Sequence, residues 1–261
     1  MQYTLHSLRR FCGRHTGGNQ DESFWAVAQE YNLEGNIGYV TLDNSTNNDT
    51  TINFIAANLE NLHIHFKHII CRLRCHGHSI NLVVKRFLWG DDAETFEKKF
   101  ESLANLEDDD AELLLRRKRG SLGKLYNYIV WIGRNPQRRD KYAEKLQQLC
   151  PEWTASSLVH GNETRWGGNY DELVRALDQR DALDEIVFTV IRHNLHGKRD
   201  SLATALKYDE LTPEDWSILT NIMRFLQPFW RWQLVLQAHR THGAQYDVLP
   251  GMDELLLHIP P

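Results

Sequence analysis

The sequence is poor in cysteine and has no long hydrophobic run. Its 261 residues include four cysteines, Cys12, Cys71, Cys75 and Cys150, which are too few and too scattered for a secreted disulfide framework. No apolar run approaches the ~20 residues that cross a bilayer. The first residues lack the basic start and the apolar stretch of a secretory signal peptide. We therefore expect a soluble intracellular protein.

Positive charge is not in excess either. Lys and Arg number 30 against 35 Asp and Glu, which gives a net charge of −5 and a pI near 6.2. Such a chain does not hold nucleic acid by bulk positive charge, although a basic patch on one face is compatible with it. Hydrophobic residues make up 41% and charged residues 25%, an ordinary globular composition that fits one large domain or two smaller ones.

Residues 1–92 alternate between strand and helix patterns. Apolar runs predict strands at Tyr3 to Phe11, Ile37 to Leu42 and Ile69 to Cys75. Helix starts with apolar faces follow these runs at Asn19, at Asn48 and after Gly77. Strands that alternate with helices form βαβ units, so we predict an α/β region with a mostly parallel sheet.

Residues 93–261 show helical patterns, and we predict an all-α region there. The expected helices include Ala93 to Leu106, Lys124 to Ile132, one capped by Asn169, and one that starts at Thr212-Pro213-Glu214-Asp215. Pro228 should kink or end this last helix. The charge runs Glu107 to Asp110 and Arg116 to Arg119 are typical of a solvated loop or helix end, with nuclear import or phosphate binding as alternatives.

Asp43 is the acid that carries most information. It follows the predicted strand Ile37 to Leu42, so its carboxylate should lie at the carboxyl edge of the sheet, where ligands of open α/β sheets bind. The polar turn Asn44 to Asp49 comes next, and Mg²⁺ prefers such oxygen ligands. An Asp-Asn turn that merely caps the following helix explains the same residues.

A Cys-x-x-His pattern, Cys75 to His78, closes the next predicted strand. It is half of a zinc signature, and Cys71 and His76 are the nearest further ligands. Side chains alternate across a strand, so these residues would point to both faces of the sheet, which disfavours zinc. The alternatives are a phosphate contact by His78 near Asp43, or a packed cysteine beside a helix-capping histidine.

Arg165 and Trp166 form a third candidate site. They precede Gly167-Gly168, which puts a guanidinium and a large ring on a flexible turn. Arginine binds phosphate with two parallel bonds, and tryptophan can stack on an unpaired base. A tryptophan that anchors the helical core is the structural alternative.

Taken together, these segments resemble the hobo–Activator type (hAT) superfamily of DNA transposases, particularly its fungal members. The matching stretches follow one order along nearly the whole chain: His15 to Asn19, Tyr39 to Asp49, Arg72 to Val83, Gly123 to Asn127, Asn135 to Arg139, Asn162 to Trp166, and Leu211 to Trp216. Each stretch is short, but the ordered set is specific.

The resemblance implies an RNase H-like catalytic domain interrupted by a helical insertion domain. It implies DNA cleavage by two aspartates and a glutamate that hold two divalent metals, Mg²⁺ or Mn²⁺. Asp43 matches the second acid and is thus a metal ligand. Cys75 and His78 match the motif beside the active site, and their role would be to shape the phosphate pocket. Arg165 and Trp166 match a pair that supports a flipped base at the hairpin end.

The same resemblance places residues 1–92 in a partial catalytic core without its first two strands, and residues 93–261 in the helical insertion. We find no counterpart of the first aspartate before Tyr3, and we expect the glutamate beyond Ile259-Pro260-Pro261. The expectation is therefore an internal fragment of a nuclear cut-and-paste transposase, catalytically incomplete as encoded. Its partners would be transposon-end DNA and further copies of the chain in a dimer or higher oligomer.

Two other classes of function stay open. One is a non-enzymatic module for DNA binding, protein binding or dimerisation that the host has retained on the same scaffold. This class fits the missing acids and the acidic net charge. The other is a zinc-binding regulator, which would release metal stoichiometrically from purified protein.

Overall fold

A computed structural model describes residues 17–43, 47–90, 109–153, 166–196, 207–236 and 248–259. The chain divides into two compact units. One comprises Met1–Leu82 and Gln233–Met252, and the other comprises Val83–Trp232 and Asp253–Pro261. The predicted boundary between a catalytic core and a helical insertion after residue 92 stays a prediction.

Helices and two short strands alternate in the first part of the chain. The elements are α1 (Gly17–Glu30), β1 (Val40–Leu42), α2 (Asn47–Asn61), α3 (His68–Cys71), β2 (Arg72–Arg74) and α4 (His76–Trp89). β1 and β2 pair in parallel, with Val40 opposite Arg72 and Leu42 opposite Arg74. The structure is thus mixed α/β in this part, with a two-stranded parallel sheet across the described ranges.

Both strands are shorter than the apolar runs predict. β1 begins at Val40 rather than Ile37, and the start of the second run forms the single turn α3. Ile69 and Ile70 are 83% and 61% exposed there. A strand gains stability from side chains packed on its faces, and these two isoleucines have little such cover. The predicted strand Tyr3 to Phe11 lies outside the described residues.

The helices beside the strands bury narrower faces than predicted. Ile52, Ile55 and Leu59 of α2 are buried as expected, and α1 packs against α2 with Ala28 buried. Phe24 and Tyr31, which the pattern assigned to the buried face of α1, are exposed. Apolar residues at i, i+3, i+4 and i+7 identify a helix well. How many of these residues are buried depends on the elements that pack against the helix.

The remaining described elements are helical. They are α5 (Asp109–Arg117), α6 (Ser121–Gly133), α7 (Pro136–Leu149), α8 (Trp166–Asp178), α9 (Arg180–His196), α10 (Pro213–Leu236) and α11 (Val248–His258). Single 3₁₀ turns lie at Glu34–Asn36, Pro151–Trp153 and Lys207–Asp209. The all-α prediction for this part of the chain is confirmed for the described residues.

The second unit has a continuous apolar core centred on α6. Leu125, Tyr128, Ile129 and Ile132 are all buried, as their helical spacing predicts. Leu183 of α9, Trp216 and Leu219 of α10 pack into the same core. Because α6 is buried on nearly every side, it is stabilised mainly by side-chain packing against its neighbours rather than by helix propensity.

Two expectations about helix ends differ from the structure. Asn169 does not cap a helix, because α8 begins at Trp166 and Asn169 is buried in its first turn. α10 starts at Pro213 as predicted, but it does not end at Pro228 and continues to Leu236. Leu226 and Phe229, which flank the proline, are buried. Packing of these side chains offsets the backbone hydrogen bond that proline removes.

None of the helices in the described ranges is long and apolar enough to cross a membrane.

Candidate functional site

The carboxyl ends of β1 and β2 bring two of the predicted site segments together. Asp43 directly follows β1, and Cys75 directly follows β2. The amide of Cys75 donates a hydrogen bond to the carbonyl of Leu42 over 2.8 Å, which extends the parallel ladder by one step. The residues after both strands therefore lie at one edge of the sheet, where the strand pattern predicts them.

Asp43 is exposed and directly follows β1. The side-chain amide of Asn48 donates hydrogen bonds to Oδ1 of Asp43 and, over 3.3 Å, to the main-chain carbonyl of Asp43. The sequence predicts Asn48 as a cap that accepts bonds from the helix. Its amide instead donates backwards to Asp43 from the second position of α2. Residues 44–46 lie outside the described ranges.

Arg72 adds a positive charge to this edge that the sequence analysis did not single out. Its Nη2 lies 3.4 Å from the carbonyl of Asp43, and its Nη1 forms an ion pair with Asp49. The Arg72 side chain is 12% exposed, whereas that of Asp49 is 59% exposed. The sequence did offer one signal for this contact, an arginine within an apolar predicted strand. Its partner could not be identified from the sequence, because Asp43 is distant along the chain.

Cys75 and His78 lie at the start of α4, and both are half-buried. The carbonyl of Cys75 accepts hydrogen bonds from the amide and the hydroxyl of Ser79, at 3.2 and 3.4 Å. Burial lowers the pKa of the neighbouring His76, whose Nε2 is enclosed without a hydrogen-bond partner in the described part of the chain. The Cys-x-x-His segment thus forms the first turn of a helix at the same sheet edge.

The described residues contain no group of three or more His, Cys, Asp or Glu side chains that could hold a metal ion. A zinc site built from Cys71, Cys75, His76 and His78 is therefore not assembled among them. An exposed carboxylate such as Asp43 fits one position around Mg²⁺, which keeps several of its waters in protein sites. The carboxylate of Asp49 is already paired with Arg72.

The third candidate site falls largely outside the described residues. Arg165 is not among them, and Trp166 is the first residue of α8, with a side chain that is not described. Their roles in binding DNA therefore stay predictions.

The basic run Arg116 to Arg119, which precedes α6, is partly buried rather than solvated throughout. Arg116 is buried and donates to Glu112 over 3.0 Å, and Arg117 donates two bonds to the buried Asp209, at 2.6 and 2.9 Å. The prediction of a solvated charge run is wrong for Arg116, while Lys118 is exposed. Glu112 lies one turn before Arg116 on the same helix, whereas Asp209 is 92 residues away from Arg117, so the run alone is misleading.

Two curated relatives match most of this chain. A protein of Talaromyces stipitatus named as a transcriptional regulator, tpeD, is 25% identical over 217 residues, 83% of this chain. A protein of Zea mays named as an AC transposase is 22% identical over 224 residues, also 83% of this chain. The chain spans 24% and 22% of the lengths of these two relatives. No protein-family model and no solved structure matches it. The chain is thus distantly similar to a protein named as a transposase and to one named as a transcriptional regulator.

Proposed function

We propose that this chain is a segment of a hAT-type DNA transposase whose RNase H-like core cuts and transfers DNA strands with divalent metal ions. One observation carries the proposal: Asp43 and the Cys-x-x-His segment end two neighbouring parallel strands. The similarity to a transposase over 83% of the chain supports it. One acid of the three that the proposal expects, Asp43, is recognisable in this chain.

In this proposal Asp43 is one ligand of Mg²⁺ or Mn²⁺, which would activate water or a 3′ hydroxyl for in-line attack on a phosphodiester. Cys75 and His78 border the pocket that receives the phosphate. Arg165 and Trp166 support the flipped base at the hairpin end. The partners are transposon-end DNA in the nucleus and further copies of the chain in a dimer or higher oligomer.

The decisive experiment uses the full-length reading frame that contains this chain. We expect Asp43→Asn to abolish Mg²⁺-dependent strand cleavage, because an amide is a poor ligand for the metal, while DNA binding in a gel-shift assay is unchanged. Asp140→Asn is the matched control, since Asp140 is exposed on α7 and far along the chain from the site. Cleavage by Asp43→Asn at the level of this control would remove Asp43 from the mechanism.

Trp166 can be tested on the same substrates. We expect Trp166→Ala to impair hairpin processing more than initial nicking, because a stacking ring acts only once a base has left the helix. Equal losses in both steps would contradict this role.

A non-enzymatic module derived from a transposase is the second candidate. The similarity to a protein named as a transcriptional regulator favours it, and so does the net charge of −5. Sequencing both ends of the transcript separates the two candidates. An upstream Asp-x-Trp strand and a downstream glutamate would support the transposase, whereas a transcript that encodes neither would support the module.

A further inference from the structure

A cavity of about 510 Å³ lies within the second unit, beside α9. Its volume is in the range of protein pockets that hold small ligands. Acidic and apolar side chains line it together, among them Asp181, Asp184, Glu185, Glu210, Phe188 and Leu149. We propose that this cavity binds an arginine side chain of a basic protein partner. The inference is independent of the proposed function, which makes no use of these residues.

Three of the four carboxylates come from one face of α9. Asp181, Asp184 and Glu185 stand at i, i+3 and i+4, and Glu210 joins them from the segment before α10. Like charges at such spacings destabilise a helix. Burial raises the pKa of Asp184, and the neighbouring charge of Asp181 adds to this rise. A cation in the cavity would therefore relieve repulsion that the fold itself leaves in place.

Two of these carboxylates are already paired within the chain and two are not. Asp184 and Glu185 each have a basic partner, at 3.4 and 3.2 Å. Asp181 and Glu210 are exposed and have no ion-pair partner in the part of the chain that the structure describes. The four acids do not form a group that could hold a metal ion. An extended organic cation that pairs with Asp181 and Glu210 fits this arrangement.

The apolar walls favour arginine as the source of that cation. Phe188 and Leu149 are 50% and 45% exposed and both line the cavity. The stem of a long basic side chain packs on such apolar surface while its charged head stays at the carboxylates. A guanidinium is more weakly hydrated than an ammonium and stacks on aromatic rings. Phe188 therefore gives arginine an advantage over lysine.

A buried hydroxyl at the cavity points to a ligand that also carries an acceptor. Tyr128 lines the cavity and is 1% exposed, and its oxygen accepts a hydrogen bond from the amide of Leu211 over 3.1 Å. The hydrogen of this hydroxyl has no acceptor among the described residues. A buried donor without an acceptor costs free energy. A main-chain carbonyl would supply one, which favours an arginine within a peptide over a free cation.

The experiment titrates the whole chain into a fluorescein-labelled peptide of alternating arginine and serine and measures fluorescence anisotropy. The double variant Asp181→Asn/Glu210→Gln should weaken binding by about tenfold, as the loss of two exposed ion pairs toward the upper end of their usual strength implies. Asp140→Asn/Glu144→Gln is the matched control, because it removes the same charge from exposed positions of α7. It should leave the affinity unchanged at about 0.15 M salt, where charges more than about 8 Å away are screened.

A second peptide, with lysine in place of arginine, tests the choice of side chain. We expect the unaltered chain to bind the arginine peptide about threefold more tightly, the strength of an exposed contact between a cation and a ring. Phe188→Ala should remove this preference. Equal affinities for the two peptides, in the unaltered chain and in Phe188→Ala alike, would overturn the assignment to arginine.

Three further outcomes would overturn the proposal. The first is an absence of peptide binding. The second is equal weakening in the two double variants, which would show attraction by general surface charge. The third is self-association of the chain in sedimentation that Asp181→Asn/Glu210→Gln abolishes, which would place a second copy in the cavity. Should that double variant fail to fold, as judged by circular dichroism, Glu210→Gln alone decides, because Glu210 lies outside the helices.

Discussion

Lys124 and Asp215 join the first turns of two core helices: Nζ of Lys124 in α6 lies 2.8 Å from Oδ2 of Asp215 in α10. The same carboxylate accepts hydrogen bonds from the hydroxyl of Ser121 at 2.7 Å and from the amide of Thr212 at 2.9 Å. Thr212 in turn accepts a bond from the amide of Asp215, which makes a reciprocal cap at the start of α10. Two of the stretches that resemble transposases, Gly123 to Asn127 and Leu211 to Trp216, thus meet at one ion pair in the core.

Asp215→Asn should lower the free energy of unfolding by about 2–3 kcal/mol at pH 7, the range for hydrogen bonds to a charged group. Burial by itself raises the pKa of Asp215, but hydrogen bonds from Lys124, Ser121 and Thr212 lower it by more, so the pKa lies below its usual value. The ionised form therefore stabilises the fold above the unfolded pKa of about 3.9, and this contribution is lost as the pH falls below it. Urea unfolding at pH 7 and pH 3 should show a larger acid loss in the unaltered chain than in Asp215→Asn.

Gly123→Ala should prevent cooperative folding or destabilise the chain by more than about 4 kcal/mol, the level of the most damaging single substitutions. A Cβ at Gly123 would lie 1.7 Å from the main-chain oxygen of Arg116, where neither backbone can yield without moving a helix. Gly133, at the end of the same helix, has no atom within 4 Å of its Cβ position. Gly133→Ala is therefore the control and should be neutral or stabilising by up to about 1 kcal/mol in thermal unfolding.

Glu112→Gln should destabilise the second unit by about 3–5 kcal/mol, because it leaves a buried cation without its counter-charge. Oε2 of Glu112 accepts hydrogen bonds from Arg116 at 3.0 Å and from Arg134 at 2.7 Å, and both Glu112 and Arg116 are buried. Glu144→Gln on the exposed side of α7 is the matched control. Equal urea midpoints for the two variants would show that the ion pair contributes little.

Tyr142→Phe should cost about 1–3 kcal/mol, because it leaves a buried acceptor unpaired. The hydroxyl of Tyr142 donates to Oε1 of the fully buried Gln179 over 2.5 Å. Burial raises the pKa of Tyr142 above its usual value. The neutral phenol of Tyr142 therefore stabilises the fold below the unfolded pKa of about 10, and this contribution is lost as the pH rises above that value. Tyr208→Phe, at a side chain 73% exposed, is the control and should leave the stability at pH 7 unchanged.

The sequence predicts best where the pattern is local. The helical spacing of Leu125, Tyr128, Ile129 and Ile132 predicts a buried face, and the cap at Thr212 predicts the start of α10; both are confirmed. The alternative that Pro228 ends α10 is wrong, because packing on both sides of the proline offsets the backbone hydrogen bond that it removes. The strand prediction also fails at Ile69 and Ile70, whose exposed side chains gain little stability from packing against the described part of the chain.

The candidate site shows the same division between local and distant effects. Asp43 follows one predicted strand and Cys75 ends the next, so their common edge could be predicted from the strand ends and the parallel order. Arg72 could not be predicted in the same way, because its partner Asp43 is 29 residues away. The contact depends on the register of the two strands, which places Arg72 opposite Val40. Periodicity contains no information on register between distant segments.

The ladder bond from the amide of Cys75 to the carbonyl of Leu42 has a consequence for recognising more distant relatives. Insertions between α2 and α3 would lengthen a surface connection, whose closure entropy grows only slowly with length. They would leave the two strand ends joined. Relatives of this chain should therefore differ freely in the number of residues that separate the aspartate from the cysteine. Searches that hold the two short signatures fixed and let the spacer vary should find homologues that a rigid spacing would miss.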